Sequence, residues 1–208
     1  MSNDEDLLLG SDSVNRCWWC GSNPEYVQYH DEEWGMPIDD DTRLFEKMCL
    51  EGFQSGLSWL TILKKRNSFR TAFDGFNFQK VVHFDQTDVD RLMANASIVR
   101  HRGKIQSTIN NAGRAIEMVA EFGSLATFFW SFEAKRHTSP KTRADVVPMT
   151  DESTRMSKEM KRRGWTFVGP TTCYAMMQSM GIVNDHLRRC HHWKVVQDAR
   201  KAFVRPSL

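Results

Sequence analysis

A carboxylate, a set of potential metal ligands and a short basic link are the parts of this sequence that could do chemistry. In CLEGFQSGLSWL, Glu51 stands near the end of a helical run, where the helix macrodipole disfavours a carboxylate by about 0.3–1 kcal/mol at exposed sites. Gly52, Gln54, Gly56 and Ser58 follow, small and polar residues interrupting an apolar run, and then Trp59. The functional reading is a backbone bent around a pocket, with a carboxylate and an aromatic ring in its wall. The bland reading is a tolerated surface glutamate.

The stretch RCWWCGSNPEYVQYHDEEWG, residues 16–35, gathers two cysteines, a histidine, three tryptophans and two tyrosines. Near the other end, NDHLRRCHHW places His186 and Cys190 four residues apart, on one face if that segment is helical. Joined to Cys17 and His30 they form a Cys2His2 set. Four protein ligands leave a tetrahedral zinc no open position, so such a site is structural. Cys20, His191 and His192 compete for the role, and spacing alone leaves the set open.

ASIVRHRGKI, residues 96–105, carries Arg100, His101, Arg102 and Lys104 around Gly103. Between two helices, such a link presents Gly103 and the following backbone N–H groups at a helix start, where a phosphate oxygen can bind. Contacts of that kind position a protein on DNA without reading its sequence. A solvated basic loop is the alternative.

The elements that would position these groups are helical almost throughout. DDDTRLFEKMCLEG offers Asp41 or Thr42 as an N-cap, a face of Leu44, Phe45 and Met48, and a stop at Gly52. QSGLSWLTILKKRNSFRTAF is the next helix, and Thr87 with Asp90 resembles a capping box opening another. Ile105, Ile109, Ala112, Ile116 and Val119 mark the buried face of a longer helix that ends at Gly123. STRMSKEMKRRG and PTTCYAMMQSMG are two more, the latter with Pro170 at its first position. Only WTFV reads as extended, so the expected class is all-α.

At 208 residues and 40% hydrophobic composition the chain can bury one sizeable core. Five scattered cysteines fit a reducing compartment, and the expectation is a cytoplasmic protein. The first fifteen residues lack the basic start of a signal peptide and the length of a membrane anchor, and read as a disordered acidic leader. Removing its four acidic charges from the net +2 leaves about +6 on the rest, which favours an anionic partner.

YHDEEWGMP, LFEKMCLEGFQSGLSWLTILKKR, SIVRHRGKIQSTINNA, KRRGWTFVGPTTCYAMMQSMGIVNDH and the spacing of Cys17, His30, His186 and Cys190 together resemble the DNA-3-methyladenine glycosylase I family, in order from about Arg16 to Cys190. The resemblance implies an all-α helix-hairpin-helix DNA glycosylase fold with two helical lobes around a cleft. It implies a structural zinc ion on Cys17, His30, His186 and Cys190, joining N- and C-terminal segments, and a DNA-binding hairpin over residues 97–104. The expected domain runs from 16 to 195, with the hairpin helices near 88–122, a zinc lobe from 16–34 plus 165–195, and a tail at 196–208.

Carried over by position, the family's base pocket falls on Glu51, Tyr29 and Trp59, with Trp19 and Trp34 nearby. The implied reaction is hydrolysis of the N-glycosidic bond of 3-methyladenine in double-stranded alkylated DNA. It releases the base and leaves an abasic site, with no strand-cleaving step and no membrane partner, and a monomer is expected. Many members of the wider superfamily place a water-activating Asp after the hairpin, whereas KIQSTINNAGRAIEMVAEFG has none. Phe53 stands in the pocket segment where a small or polar residue occurs in the family, and is expected to line the pocket and narrow or reshape it. Trp18 and Cys20 are read as core packing.

Overall fold

Residues 6–207 are described in the computed structural model. The first turn of regular structure is a two-stranded antiparallel hairpin, β1 (Leu7–Leu9) and β2 (Asn15–Cys17), with Leu7 opposite Cys17. The disordered leader expected over residues 1–15 is therefore corrected for its second half. Arg16 closes the hairpin by binding the Asp12 carboxylate at 2.7 and 2.9 Å while also reaching Asp31. Residues 1–5 lie outside the described part of the chain.

Ten α-helices follow among the described residues. The first five are α1 (Pro24–Glu32), α2 (Asp41–Gln54), α3 (Trp59–Ala72), α4 (Phe78–Val81) and α5 (Gln86–Ala94). The others are α6 (Arg102–Phe122), α7 (Leu125–Trp130), α8 (Asp151–Arg162), α9 (Pro170–Ser179) and α10 (His192–Ala202). The centre of the molecule is α2, which packs against α3, α6, α7 and α9 and has every residue from Leu44 to Phe53 buried. A helix covered all round ordinarily carries apolar residues all round. This one holds Glu46, Lys47 and Glu51, and each must find a partner inside the protein.

Several helix boundaries shift for local reasons. Asp40 caps α2 by accepting from the Arg43 N–H at 2.8 Å, one residue ahead of the expected caps, and the helix runs two residues past Gly52. The capping box of α5 is Asp85 with Asp88, two residues before the expected pair. WTFV forms no strand. Its Thr166 backbone is bound on both sides by the Asn111 side chain of α6, at 3.0 Å each, which removes the need for a sheet partner. The expected tail at 196–208 begins inside α10, whose Val196 and Arg200 are buried, and Phe203 stacks 4.6 Å from Trp130.

Candidate functional site

The α2–α3 junction builds one wall of a cavity of about 190 Å³. Gly56, with φ +82°, makes the turn that a side chain would strain, and Ser58 caps α3 by accepting from the Thr61 N–H. The turn brings Trp59 opposite Glu51, and α1 adds Tyr29, whose ring lies 5.5 Å from Trp59. Trp19 and Trp34 complete the aromatic wall, with ring centroids 4.8 Å apart. Five of the six predicted pocket residues, Glu51, Tyr29, Trp59, Trp19 and Trp34, therefore meet around one cavity.

Phe53 does not join them. It points to the far side of α2, fully buried, with its ring 4.6 Å from Phe69 and 6.0 Å from Phe73. The expectation that it lines the pocket and narrows or reshapes it is corrected, because two residues after Glu51 on a helix is nearly the opposite face. Trp18, read as core packing, does pack against the buried Cys17, Leu187 and Cys190 cluster, and it also lines the cavity with Tyr26, Gln54, Gln178 and Asp185. Cys20 is buried, and its thiol donates to the Cys17 carbonyl.

The group missed in the sequence is Lys47. Its Nζ lies 2.8 Å from Glu51 Oε1 and 2.7 Å from the Tyr29 hydroxyl oxygen, and 3.2 Å from the centre of the Trp59 ring. Both members of the ion pair are about 5% exposed. Burial pushes the Lys47 amine down to about 8, against the pull of Glu51, and burial also raises the Tyr29 phenol. The i, i+4 spacing of Lys47 and Glu51 was the available signal. Asp185 has none: it comes from the turn after α9, where it accepts from Tyr174 at 2.6 Å and Gln178 at 2.8 Å and pairs with His137.

Behind Trp19 and Trp34, Cys17, His30, His186 and Cys190 converge, all buried, with one ligand atom of each within 4.8 Å of the others. Cys190 Sγ lies 3.5 Å from His30 Nε2 and 3.6 Å from His186 Nδ1, and Cys17 Sγ 3.8 Å from His186 Nδ1. The outward ring nitrogens are also held, His30 Nδ1 by Asp31 at 2.7 Å and His186 Nε2 by the Trp34 carbonyl at 2.9 Å. That pattern orients a histidine to present its other nitrogen to a metal. Two thiols and two imidazoles at these separations fit a four-coordinate ion. His186 and Cys190 reach it from an irregular turn between α9 and α10, not from a helix face. Cys20 is not in the cluster; His192 lies beside it, against Asp31.

The basic link joins α5 to α6, which pack together. Arg100 and Arg102 are exposed, the latter 3.1 Å from Asp90. His101 is the N-cap of α6, its Nδ1 accepting from the Lys104 N–H. Gly103 sits in the first turn, against the His101 ring. Lys104 departs from the expectation of a phosphate contact: its side chain is buried and donates to the carbonyls of Phe53 and Ser55 at 2.9 and 2.6 Å. It caps the carboxyl end of α2, which has no basic residue in its own last turn.

A profile of the methyladenine glycosylase family matches residues 19–193. The chain belongs to the methyladenine glycosylase family. It is 44% identical over 179 residues to DNA-3-methyladenine glycosylase 1 of Escherichia coli K12, covering 85% of this chain and 96% of that protein. Its fold is similar to a crystal structure of 3-methyladenine DNA glycosylase I, with a TM-score of 0.81, 43% identity, and coverage of 85% and 98%. A second structure, a Tyr-to-Phe variant of 3-methyladenine DNA glycosylase I in complex with 3-methyladenine, matches at TM-score 0.80 and 34% identity. That match covers 83% of this chain and 94% of the other.

Proposed function

We infer that this chain is a DNA repair glycosylase that hydrolyses the N-glycosidic bond of 3-methyladenine in DNA, releasing the base and leaving an abasic site. The observation that carries the reading is the buried Glu51 carboxylate facing a cavity walled by Tyr29, Trp59, Trp19 and Trp34, in a methyladenine glycosylase chain. Methylation at N3 makes the base of the nucleotide positively charged and a good leaving group. Electron-rich rings contribute up to about 2 kcal/mol toward a desolvated cation, and a carboxylate about 4 Å away on the order of 4 kcal/mol at an effective dielectric of 20. A neutral adenine forgoes most of both.

The base reaches the cavity by leaving the helix stack, as base-flipping enzymes require. Arg100, Arg102 and the Gly103 end of α6 form a helix-hairpin-helix contact on the phosphate backbone, with His101 shaping the helix start. Water then attacks the sugar carbon as the bond loosens toward an oxocarbenium ion. The reaction is monofunctional. Lys47, the buried amine beside the site, is engaged with Glu51 and Tyr29 and does not line the cavity.

Cys17, His30, His186 and Cys190 would hold a structural Zn²⁺, on the strength of their donor set and oriented imidazoles. Bound there, the ion supplies a cross-link and no open coordination position. The test of function is incubation with methylated double-stranded DNA and identification of the released bases. Release of 3-methyladenine without a borohydride-trappable adduct is expected. DNA binding without any base release would leave only a binding module and overturn the reading.

A further inference from the structure

Glu51, Tyr29 and Trp59 face the cavity on one side and the Lys47 ammonium on the other. The remaining charged groups around Lys47 are Arg43 and Glu46 on α2, Glu33 just after α1, and Arg66 and Arg70 on α3. Glu33 is held by Arg66 at 2.6 and 2.7 Å, and Glu46 by Arg70 at 2.8 Å. Of the ion pairs among these groups, Lys47–Glu51 is thus the one that shares a member with the cavity wall.

The reaction moves charge. The base is positive before cleavage; as the bond from C1′ to N9 breaks, its electron pair goes to the base, which departs neutral. The positive charge passes to the sugar, water oxygen adds to C1′, and its proton is lost to solvent. A carboxylate and aromatic faces alone favour charge on the base, where it starts, and interactions stronger in the ground state than in the transition state do not accelerate the step.

We propose that Lys47 corrects this balance: its ammonium, bound to the back of Glu51, Tyr29 and Trp59, disfavours positive charge on the bound base and drives it toward the sugar as the bond breaks. Lys47 is a positioning residue, since it touches the wall and not the base. The proposal rests on the excision reaction inferred above. Burial holds the Lys47 amine near 8, so the effect is switched off by alkali within a range where the substrate can be assayed.

The experiment combines single-turnover release of 3-methyladenine from methylated duplex DNA with the affinity of 3,9-dimethyladeninium, a base analogue of fixed positive charge. In Lys47→Met the release rate should fall roughly tenfold while analogue affinity rises roughly tenfold. Lys47→Arg, permanently charged, should keep both near the parent values. In the parent protein, release should slow and analogue binding tighten as pH rises through about 8, and Lys47→Arg should lack that change. A Met variant that loses rate and affinity together, or a parent protein flat across this pH range, would overturn the proposal. Because analogue binding is measured apart from release, a parent protein that binds the cation but excises nothing would overturn the reaction instead.

Discussion

Glu51 has two neighbours of opposite character, an ammonium 2.8 Å behind it and an aromatic cavity in front. Glu51→Gln keeps the shape and removes the charge, so it should weaken binding of the cationic base analogue 3,9-dimethyladeninium about a hundredfold, the effect of losing roughly half of the combined electrostatic terms. Unchanged affinity in this variant would show that the carboxylate does not recognise the base. The same change leaves Lys47 buried without its counter-charge, and breaking one side of a buried pair costs about 3–5 kcal/mol. Urea unfolding should therefore show a lower midpoint. Lys47 also sets a pH signature. Its amine is held near 8 in the fold against 10.5 ordinarily, so between those values the unfolded chain binds more protons and stability rises with pH. The difference in urea midpoint between parent and Lys47→Met should accordingly change between pH 7.5 and 10.5, and a constant difference would contradict the assignment.

Between elements, the decisive contact is Lys104. Because it ends on two carbonyls at the end of α2, Lys104→Met should cost about 2–4 kcal/mol and leave the salt dependence of DNA binding unchanged. Arg100→Ala and Arg102→Ala should do the reverse, each reducing the slope of log affinity against log salt by about 1 with little loss of stability. A Lys104→Met slope matching theirs would return Lys104 to the phosphate surface. Before folding, all four basic residues of the link read alike, because net charge carries no direction. What distinguishes Lys104 is the helical turn that rotates it inward, a property of α6 packing on α2. Glu51, Tyr29, Trp59, Trp19 and Trp34 are legible by resemblance, whereas the face of α2 that Phe53 takes and the inward turn of Lys47 are set by packing. The helices themselves were legible from periodicity and caps. The β1–β2 hairpin was not, since three leucines and an Arg16–Asp12 clasp form no repeating pattern.

For the molecule as a whole, the Cys17–His30–His186–Cys190 cluster ties the beginning of the chain to its end, 173 positions apart at the extremes. Cys190→Ser should lose bound zinc by elemental analysis and lower the melting temperature, because binding energy in such sites is folding energy. Trp19 and Trp34 lie 5.1 and 4.7 Å from the rings of His30 and His186, so chelation should also change tryptophan fluorescence. An unchanged melting curve after complete metal removal would assign the cluster no structural weight. The Lys104 clasp has a further consequence at this scale. With the arginine-bearing link and the Glu51 helix fastened to each other, the phosphate grip proposed for the link would stand at a fixed length from the base cavity proposed around Glu51, and the protein would act as a gauge. DNA would then supply the motion, and only a nucleotide whose rotated base spans that length from the gripped backbone would be offered to the site for inspection.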